Sequence, residues 1–244
     1  TKEQDHQAII IVGCDTRISG GMLASALMAG ICSVGANAIF VGVMPTPAIA
    51  YLTRKYKVDA GVVISASHNP MEFNGIKFFN SEGFKLDDDI EDQIEDIILR
   101  DIDVNSHITG DKLGRCLDAD DDAADRYAVF LEDTIDVDIK GIKLVLDCAN
   151  GASWMIAKSV FGALGAQTVV IGADPNGLNV NENCGSTHIE NLCRLVREQH
   201  LDVGFAFDGD ADRCIAVDEN GNEVDGDHIM YVIGSYLAEH GRLK

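Results

Sequence analysis

Short apolar runs alternate with helical patterns along the first half of the chain. AIIIVG, NAIFVG and AGVVIS predict strands, and residues Gly20 to Val34 and Thr46 to Tyr56 predict the helices between them. This β-α-β-α-β order is typical of parallel strands joined by crossover helices. Thr46 is the predicted N-cap of the second helix, with Pro47 at its first helical position. GIKFF then predicts one more strand.

An acidic stretch follows and leads to a second alternation. KLDDDIEDQIEDIILR predicts an amphipathic helix with Ile90, Ile94 and Ile97/Ile98 on one face. No strand pattern occurs from Asp101 to Lys140, where one helix is predicted from Asp122 to Asp133. Its charge run DADDDAAD is interpreted as a solvated face or helix start. Further elements are then predicted, with no detectable sequence repeat between the halves: strands KLVLDCA, QTVVIG, LDVGFAFD and RCIAVD, and helices over Ser153 to Leu164, over Ile189 to Gln199 and from Asp225.

Composition limits the class of partner. Hydrophobic residues make up 46% and charged residues 24%, as in an ordinary globular protein, but the net charge is −21. That charge argues against nucleic acid or an anionic membrane as partner, since both require a basic face. A phosphorylated small substrate remains compatible, because a few cations or a bound metal reverse the field within one cleft.

The seven cysteines show no metal-type spacing and indicate reduced thiols in a cytoplasmic protein. No signal peptide is visible, and no apolar run reaches the roughly 18 residues of a membrane span. Since the chain starts just before a strand and stops within a predicted helix, we expect it to be a piece of a longer protein. Whether it forms a homodimer is left open.

The segment FDGDADR carries three carboxylates, Asp208, Asp210 and Asp212, directly after a predicted buried strand. Carboxylates at i, i+2 and i+4 share one side of an extended chain and repel one another unless a cation neutralises them. A hard divalent ion, most simply Mg²⁺, fits such oxygen ligands. The alternative without a ligand is an acidic surface turn.

Two other classes of site share part of this pattern. An EF-hand loop is rejected, because Arg213 stands where that loop requires glycine and strands are predicted on both sides. A phosphatase of the haloacid dehalogenase type also ends a strand with D-x-D, and there Asp208 acts as the nucleophile. This alternative stays open, although Asp212 stands where that family has Thr or Val.

The stretch ISASHNPMEFNGIKFF ends the third strand on polar residues. A serine there is able to carry a phosphoryl group, which needs a metal and cations to hold its charge. Ser67 is the candidate carrier, and Lys77 and Arg213 are the candidate cations. His68 is either a turn hydrogen-bonder or a catalytic group. The turn at Asn74 brings the strand with Lys77 back beside the loop.

SASHNP, NGIKFF, DCANGA, PNGLNVN, NCGSTH and FDGDADR together resemble the α-D-phosphohexomutase superfamily, over essentially the whole chain. GCDTRISG and PTPAIAYLT resemble its bacterial branch that acts on glucosamine phosphates. The resemblance implies two α/β domains with mixed, mainly parallel sheets sandwiched by helices, the first half of a four-domain enzyme. The implied boundaries are 1–117 for domain I, 118–140 for a connecting helix and 141–244 for domain II.

The resemblance also implies a reaction and a set of residues. Glucosamine 6-phosphate and glucosamine 1-phosphate interconvert through a phosphoserine and a bisphosphorylated sugar, and the product feeds UDP-N-acetylglucosamine synthesis for the cell wall. The implied metal ligands for Mg²⁺ are the phosphorylated Ser67 with Asp208, Asp210 and Asp212. Lys77 and Arg213 lie near the transferring group, with His68. Supporting or substrate-binding positions are Arg17, Asn74 and His188.

The chain departs from the family pattern in three respects. The family's opening F-G-T-D-G-x-R-G segment, its E-x-S-G-H sugar-recognition loop and its R-x-S-G-T phosphate loop do not occur here. Ala211 replaces a glycine frequent in the glucosamine branch. We therefore expect this chain to hold Mg²⁺ but to turn over slowly or not at all alone. A glucose or mannose phosphate mutase, and a scaffold that keeps the fold without the chemistry, are the remaining hypotheses.

Overall fold

The computed structural model describes residues 6–100, 102, 108–119 and 122–243 of the chain. Within these residues the protein forms two α/β units, each built on a five-stranded sheet. Asp120 and Asp121, which belong to the predicted charged run, and residues 1–5 of the predicted first domain lie outside the described residues. No helix of the described part of the chain has the length and apolarity needed to cross a bilayer.

The first unit has the strand order β4-β3-β1-β2-β5, with β4 antiparallel to β3 and the other neighbours parallel. Its strands are β1 (Ile9–Cys14), β2 (Asn37–Val43), β3 (Ala60–Ile64), β4 (Ile76–Asn80) and β5 (Cys116–Leu117). Its helices are α1 (Gly20–Ser33), α2 (Thr46–Tyr56) and α3 (Asp88–Leu99), with a 3-10 turn at Gly110–Lys112 and then α4 (Ala123–Glu132). The predicted elements are present, and the two-residue β5 is too short for a periodic pattern to reveal.

The second unit has the strand order β10-β9-β8-β6-β7. Its strands are β6 (Lys143–Asp147), β7 (Gln167–Ile171), β8 (Val203–Phe207), β9 (Cys214–Val217) and β10 (Glu223–Val224), and its helices are α5 (Ala157–Ala163), α6 (Glu190–Gln199) and α7 (Gly226–Glu239). The strand β8 pairs in parallel with β6 and antiparallel with β9. The helix α5 starts four residues later than the predicted Ser153, since residues 153–156 form turns next to the left-handed Ala149 and Asn150.

The two sheets repeat one topology, although the sequences show no repeat. The order β4-β3-β1-β2 in the first sheet matches β9-β8-β6-β7 in the second. The connection from β3 to β4, residues 65–75, is called the serine loop below. The connection from β8 to β9, residues 208–213, is called the aspartate loop. Both loops therefore leave the carboxyl end of the corresponding parallel strand, where α/β proteins bind ligands.

The helix α4 packs the two units together. Its Tyr127 is buried in a core cluster that also contains Ile49 of α2 and Val160 of α5. The ring of Phe130 stacks on Tyr51 with centroids 4.2 Å apart. Residues predicted to form only a connection thus supply apolar contacts to helices of both units, α2 in the first and α5 in the second. In contrast, every α3 residue is at least partly exposed, and Ile98 is 70% exposed.

Candidate active site

The serine loop is shaped by side chains at the carboxyl ends of β1 and β3. The hydroxyl of Ser65 donates to Oδ2 of Asp15 at 2.7 Å and accepts the backbone N–H of Ser67 at 2.9 Å. Ser67 adopts a left-handed backbone with φ of 55°. Non-glycine residues in that region are strained, and such strain concentrates at functional sites. Ser65 is therefore a structural residue of the loop, and its hydroxyl links Asp15 to the backbone of Ser67.

The buried guanidinium group of Arg17 holds the serine loop in place from inside the domain. Its side chain is fully buried, and its Nε donates to Oδ2 of Asp15 at 2.8 Å. Its two terminal nitrogens donate to four carbonyl oxygens of the loop, those of Ser67, Asn69, Pro70 and Phe73. A guanidinium group has five N–H donors, so these five bonds use all of them. This geometry favours a supporting place for Arg17 over direct contact with a substrate.

The aspartate loop brings its three carboxylates together beside the serine. Oxygen atoms of Asp208, Asp210 and Asp212 lie within 4.8 Å of one another, and the first two side chains are fully buried. The hydroxyl of Ser67 donates to Oδ2 of Asp208 at 2.6 Å. The predicted carrier and the predicted ligands thus meet across the two domains. Strands on both sides of the loop agree with the rejection of an EF-hand.

The electrostatics of the three carboxylates favour a cation. Burial raises the pKa of Asp208, and the charges of Asp210 and Asp212 raise it further, while the bond from Ser67 acts in the opposite direction. The ammonium group of Lys77 donates to Asp210 at 2.7 Å and to Asp212 at 2.8 Å. Burial alone lowers the pKa of Lys77, but its bonds to these two carboxylates raise it overall. One Lys charge leaves the three carboxylates only partly neutralised.

The oxygen atoms of this cluster fit a hard divalent ion. Oδ1 of Asp210 is buried and has no hydrogen-bond partner among the described residues. A buried acceptor of this kind is costly unless a donor or a cation reaches it. Three carboxylates of Asp208, Asp210 and Asp212 with a neighbouring serine oxygen form an all-oxygen donor set, which suits Mg²⁺. The residues that could hold the ion are therefore the four predicted from the sequence.

Arg213 and His68 join the two loops on their solvent side. Nη1 of Arg213 lies 2.9 Å from Nδ1 of His68, and the backbone N–H of Arg213 donates to Oδ1 of Asp208 at 3.2 Å. His188 is exposed and lines, together with His68, a cavity of about 310 Å³ between the serine loop and residues 178–188. His188 thus lies next to the loop rather than within the carboxylate cluster.

Asn74 fixes the far end of the serine loop. Its Nδ2 donates to the hydroxyl of Ser19 at 2.9 Å, just before α1 begins. Its Oδ1 accepts the backbone N–H of Gly75 at 2.9 Å. The antiparallel register that follows sets Lys77 opposite Val63, so its ammonium group reaches the aspartate loop. The strand with Lys77 thus returns beside the loop as predicted, but the turn lies earlier than predicted, at residues 70–73, and Asn74 follows it.

Residues of the second domain grip the serine loop directly. Nδ2 of Asn181 donates to the carbonyl oxygens of Ser67 and Asn69, at 2.9 and 3.3 Å. Gly209 lies so close that a Cβ atom there would be 2.7 Å from the oxygen of Ser67. The hydroxyl of Thr16 also donates to the carbonyl of Asn150 at 2.6 Å. The serine loop is therefore held against the second domain by contacts to its own carbonyl groups as well as by the Ser67–Asp208 bond, and the Thr16–Asn150 bond joins the two domains outside both loops.

One prediction about the second helix is wrong, and several supporting residues were missed. Pro45 precedes α2 as its N-cap, and Thr46 is the first helical residue without a capping side-chain bond. The hydroxyl of Thr46 is instead bonded to Asp210, at 2.5 Å. Asp15, Thr46 and Asn181 stand within the motifs GCDTRISG, PTPAIAYLT and PNGLNVN. Nothing in their local pattern indicated the bond of Asp15 with Ser65, or the bonds of Thr46 and Asn181 with the other domain.

Comparisons with known proteins establish the class of the chain. Residues 1–104 match the family model of phosphoglucomutase/phosphomannomutase α/β/α domain I, and residues 125–221 match that of domain II. The chain therefore belongs to the phosphoglucomutase/phosphomannomutase family of α-D-phosphohexomutases. The resemblance seen in the motifs is confirmed, and the dehalogenase-type alternative receives no support from these matches.

Curated relatives and solved structures agree with this class. A phosphoglucosamine mutase of Clostridium novyi is 59% identical over 242 residues, which are 99% of this chain and 54% of that protein. A phosphoglucosamine mutase of Acetivibrio thermocellus is 56% identical, over 100% of this chain and 54% of that protein. A phosphoglucomutase/phosphomannomutase family structure from Burkholderia thailandensis superposes with a TM-score of 0.79 at 26% identity, covering 96% of this chain and 51% of that one. The chain thus spans about half the length of the relatives it matches.

Proposed function

We propose that this chain is the phosphoserine- and Mg²⁺-bearing half of a mutase that interconverts glucosamine 6-phosphate and glucosamine 1-phosphate. The observation that carries the proposal is the 2.6 Å hydrogen bond from Ser67 to Asp208, at the edge of the three carboxylates. A serine oxygen beside carboxylate oxygens is suited to share a divalent ion with them once it carries a phosphoryl group. Similarity to phosphoglucosamine mutases at 55–59% identity supports the choice of sugar.

In the proposed reaction, Ser67 carries the phosphoryl group and passes it to the free hydroxyl of a hexose monophosphate. The Oγ–P bond breaks and a sugar O–P bond forms, while the hydroxyl proton of the sugar is returned to the serine oxygen. The resulting bisphosphate reorients, and Ser67 takes back the other phosphoryl group. Ser67, Asp208, Asp210 and Asp212 would hold Mg²⁺, which would supply charge neutralisation for the transferring group.

The remaining residues are proposed either to neutralise the charge of the phosphoryl group or to support the serine loop. Lys77 already lies within hydrogen-bond distance of two carboxylates of the cluster, so its charge is available beside the ion. Arg213 is exposed on the solvent side and paired with His68. These cations are suited to the three equatorial oxygens, over which the charge of the transferring phosphoryl group is spread. Arg17, Asn74 and His188 are proposed as supporting residues, with the first two acting through the serine loop.

The first experiment tests the carrier in this chain itself. The protein is incubated with glucosamine 1,6-bisphosphate and Mg²⁺, and intact mass and peptide mapping locate the phosphate. We expect one phosphate on Ser67, none on Ser67→Ala, and unchanged labelling of Ser81→Ala, an exposed serine after β4. A hydroxylamine-labile phosphate on Asp208 would instead support the dehalogenase-type phosphatase. Absence of any transfer to the wild-type chain would contradict the proposal.

The second experiment tests the choice of sugar in the full-length parent protein. Glucosamine, glucose and mannose 1-phosphates are assayed side by side, each with its bisphosphate as activator. The proposal expects the largest kcat/KM for the glucosamine substrate. A preference for glucose or mannose phosphate would keep the family and the carrier but overturn the proposed substrate. Rapid turnover by the present chain alone would contradict its proposed dependence on the rest of the protein.

A further inference from the structure

Thr46 makes a two-point contact with Asp210 across the domain interface. Its backbone N–H donates to the carbonyl oxygen of Asp210 at 2.9 Å, and its hydroxyl donates to Oδ2 of the same residue at 2.5 Å. Both residues are buried, at 7% and 0% exposure. A residue held at both its main chain and its carboxylate has little freedom in its backbone or χ1. Thr46, the first residue of α2, therefore fixes the conformation of one proposed metal ligand.

The contact also determines which carboxylate oxygen of Asp210 is left to bind the proposed ion. Oδ2 accepts from Thr46 and from Lys77, so its two lone pairs are used. Oδ1 is buried and without a partner among the described residues, which leaves it for the ion. Of the two donors, Lys77 carries a charge that a divalent cation repels, whereas the hydroxyl of Thr46 is neutral. The Thr46 bond is thus the one that the charge of a bound ion does not weaken.

From these contacts we propose that Thr46 is a positioning residue of the Mg²⁺ site, which orients Asp210 so that Oδ1 faces the ion. This inference rests on the proposed function in requiring that the three carboxylates hold Mg²⁺. It adds a residue of domain I to a metal site whose carboxylates all belong to domain II. Ion affinity is then linked to the seating of α2 against the aspartate loop.

Three variants of helix α2 test the inference. Thr46→Val keeps the shape and the backbone N–H but removes the hydroxyl, and Thr46→Ser restores a hydroxyl. Thr53→Val is the matched control, because Thr53 is also buried in α2 and, among the described residues, its hydroxyl bonds within the helix, to the carbonyl of Ile49. It lies about 10 Å along the helix from Thr46, given a rise of about 1.5 Å per residue.

Mg²⁺ binding is measured by calorimetry and Mn²⁺ binding by electron paramagnetic resonance, on the full chain of each variant. Outer-shell partners of metal ligands typically contribute about 10- to 100-fold in affinity. We expect Thr46→Val to weaken binding by about tenfold or more, Thr46→Ser to recover most of it, and Thr53→Val to bind like the wild type. Thermal melts without metal identify any variant that fails to fold, and in that case the Ser variant and Thr46→Ala are compared instead.

The outcomes separate the two proposals. If the wild type binds neither ion, the proposed metal site fails and the inference fails with it. If the wild type binds and Thr46→Val binds equally well, only the inference is overturned. If Thr53→Val weakens binding as much as Thr46→Val, the effect belongs to the packing of α2 and the positioning role is rejected. In full-length parent protein, the same loss should appear in the Mg²⁺ concentration for half-maximal rate and be restored by Thr46→Ser.

Discussion

Oδ2 of Asp208 accepts a 2.6 Å hydrogen bond from the hydroxyl of Ser67, although 141 positions separate the two residues. Each residue lies in the loop that follows an interior strand of its own sheet, β3 for Ser67 and β8 for Asp208. Neither domain contains the pair by itself. The proposed chemistry therefore depends on how closely the two loops are held together.

Replacing Asp208 with Asn should separate ion binding from folding. Asn keeps the shape of the side chain but removes the carboxyl group, whose pKa is raised by burial and by the neighbouring carboxylates. We expect Mg²⁺ affinity to fall at least tenfold, since an inner ligand contributes no less than the roughly 10- to 100-fold of outer-shell partners. We also expect the free energy of unfolding in metal-free buffer to stay equal or rise at neutral pH. Calorimetry and urea unfolding measure the two, with Asp92→Asn, a substitution of an exposed carboxylate in α3, as control.

Removing the Arg17 guanidinium should collapse the support of the serine loop. Arg17→Met would leave the buried Asp15 carboxylate without its ion pair and four loop carbonyls without their donor. Breaking a buried ion pair from one side typically costs about 3–5 kcal/mol, so we expect a loss of this size in urea unfolding. Arg17→Lys should lose less, because it keeps the charge. In Arg17→Lys, the rate constant for phosphate transfer to Ser67 should fall by a larger factor than the KM for the bisphosphate rises. A change confined to KM would indicate that Arg17 contacts the substrate directly.

A methyl group at position 209 should push the two loops apart. The added Cβ of Gly209→Ala would lie 2.7 Å from the carbonyl oxygen of Ser67 and 2.9 Å from Cγ2 of Val180. Overpacking of this kind costs about 1–3 kcal/mol, and transfer to Ser67 should fall together with stability. Gly226→Ala at the start of α7 meets open space and serves as the control in both measurements. Unchanged transfer in Gly209→Ala would show that the close approach of the loops is dispensable.

Position 211 should accept glycine with a gain in stability. Ala211 has a φ of 54°, in the left-handed region that disfavours residues with a Cβ by roughly 1–2 kcal/mol. The extra chain entropy of glycine opposes this gain by about 0.4–1 kcal/mol. Ala211→Gly should therefore raise the free energy of unfolding by up to about 1.6 kcal/mol. Ala29→Gly within α1 should change it in the opposite direction by about 1 kcal/mol; equal losses in both variants would contradict the argument.

The buried Asp147 should give the protein a measurable dependence of stability on pH. Burial raises its pKa, although the backbone N–H groups of Gly185 and Ala149 act to lower it. For an acid whose pKa is raised by folding, the contribution to stability is present below the ordinary value of 3.8 and is lost as the pH rises through the raised pKa.

Asp147→Asn removes this titration. The free energy of unfolding of the variant should therefore increase relative to that of the wild type as the pH rises from about 3.5 to about 7. Urea unfolding over that range measures the shift, with the surface substitution Asp174→Asn as the control. A difference that does not change with pH would show that Asp147 has the same proton affinity in the folded and unfolded chain.

The sequence predicted what depends on local pattern and on motif chemistry. Strands such as β1, β3 and β6 could be predicted because continuous apolar runs are typical of buried parallel strands. The FDGDADR carboxylates could be predicted because like charges at that spacing require a cation. The Thr46 hydroxyl was assigned to a helix cap, since Thr before Pro favours that local reading and the competing acceptor, Asp210, lies 164 positions away. Asn181 could not be predicted for a similar reason, since its acceptors in Ser67 and Asn69 lie 114 and 112 positions away. Two-residue strands such as β5 carry too little periodicity to detect.

The repeated strand order means that one scaffold occurs twice in the chain. The equivalent connection carries the serine loop in the first unit and the aspartate loop in the second. In a homodimer with a site on its two-fold axis, each subunit contributes half of the site and activity falls on dilution. Here the two halves are joined in one polypeptide, so one loop meets the other at an effective concentration that dilution does not change. Because the halves are not identical, one is free to specialise as the carrier, with Ser67, and the other as the ion holder, with Asp208.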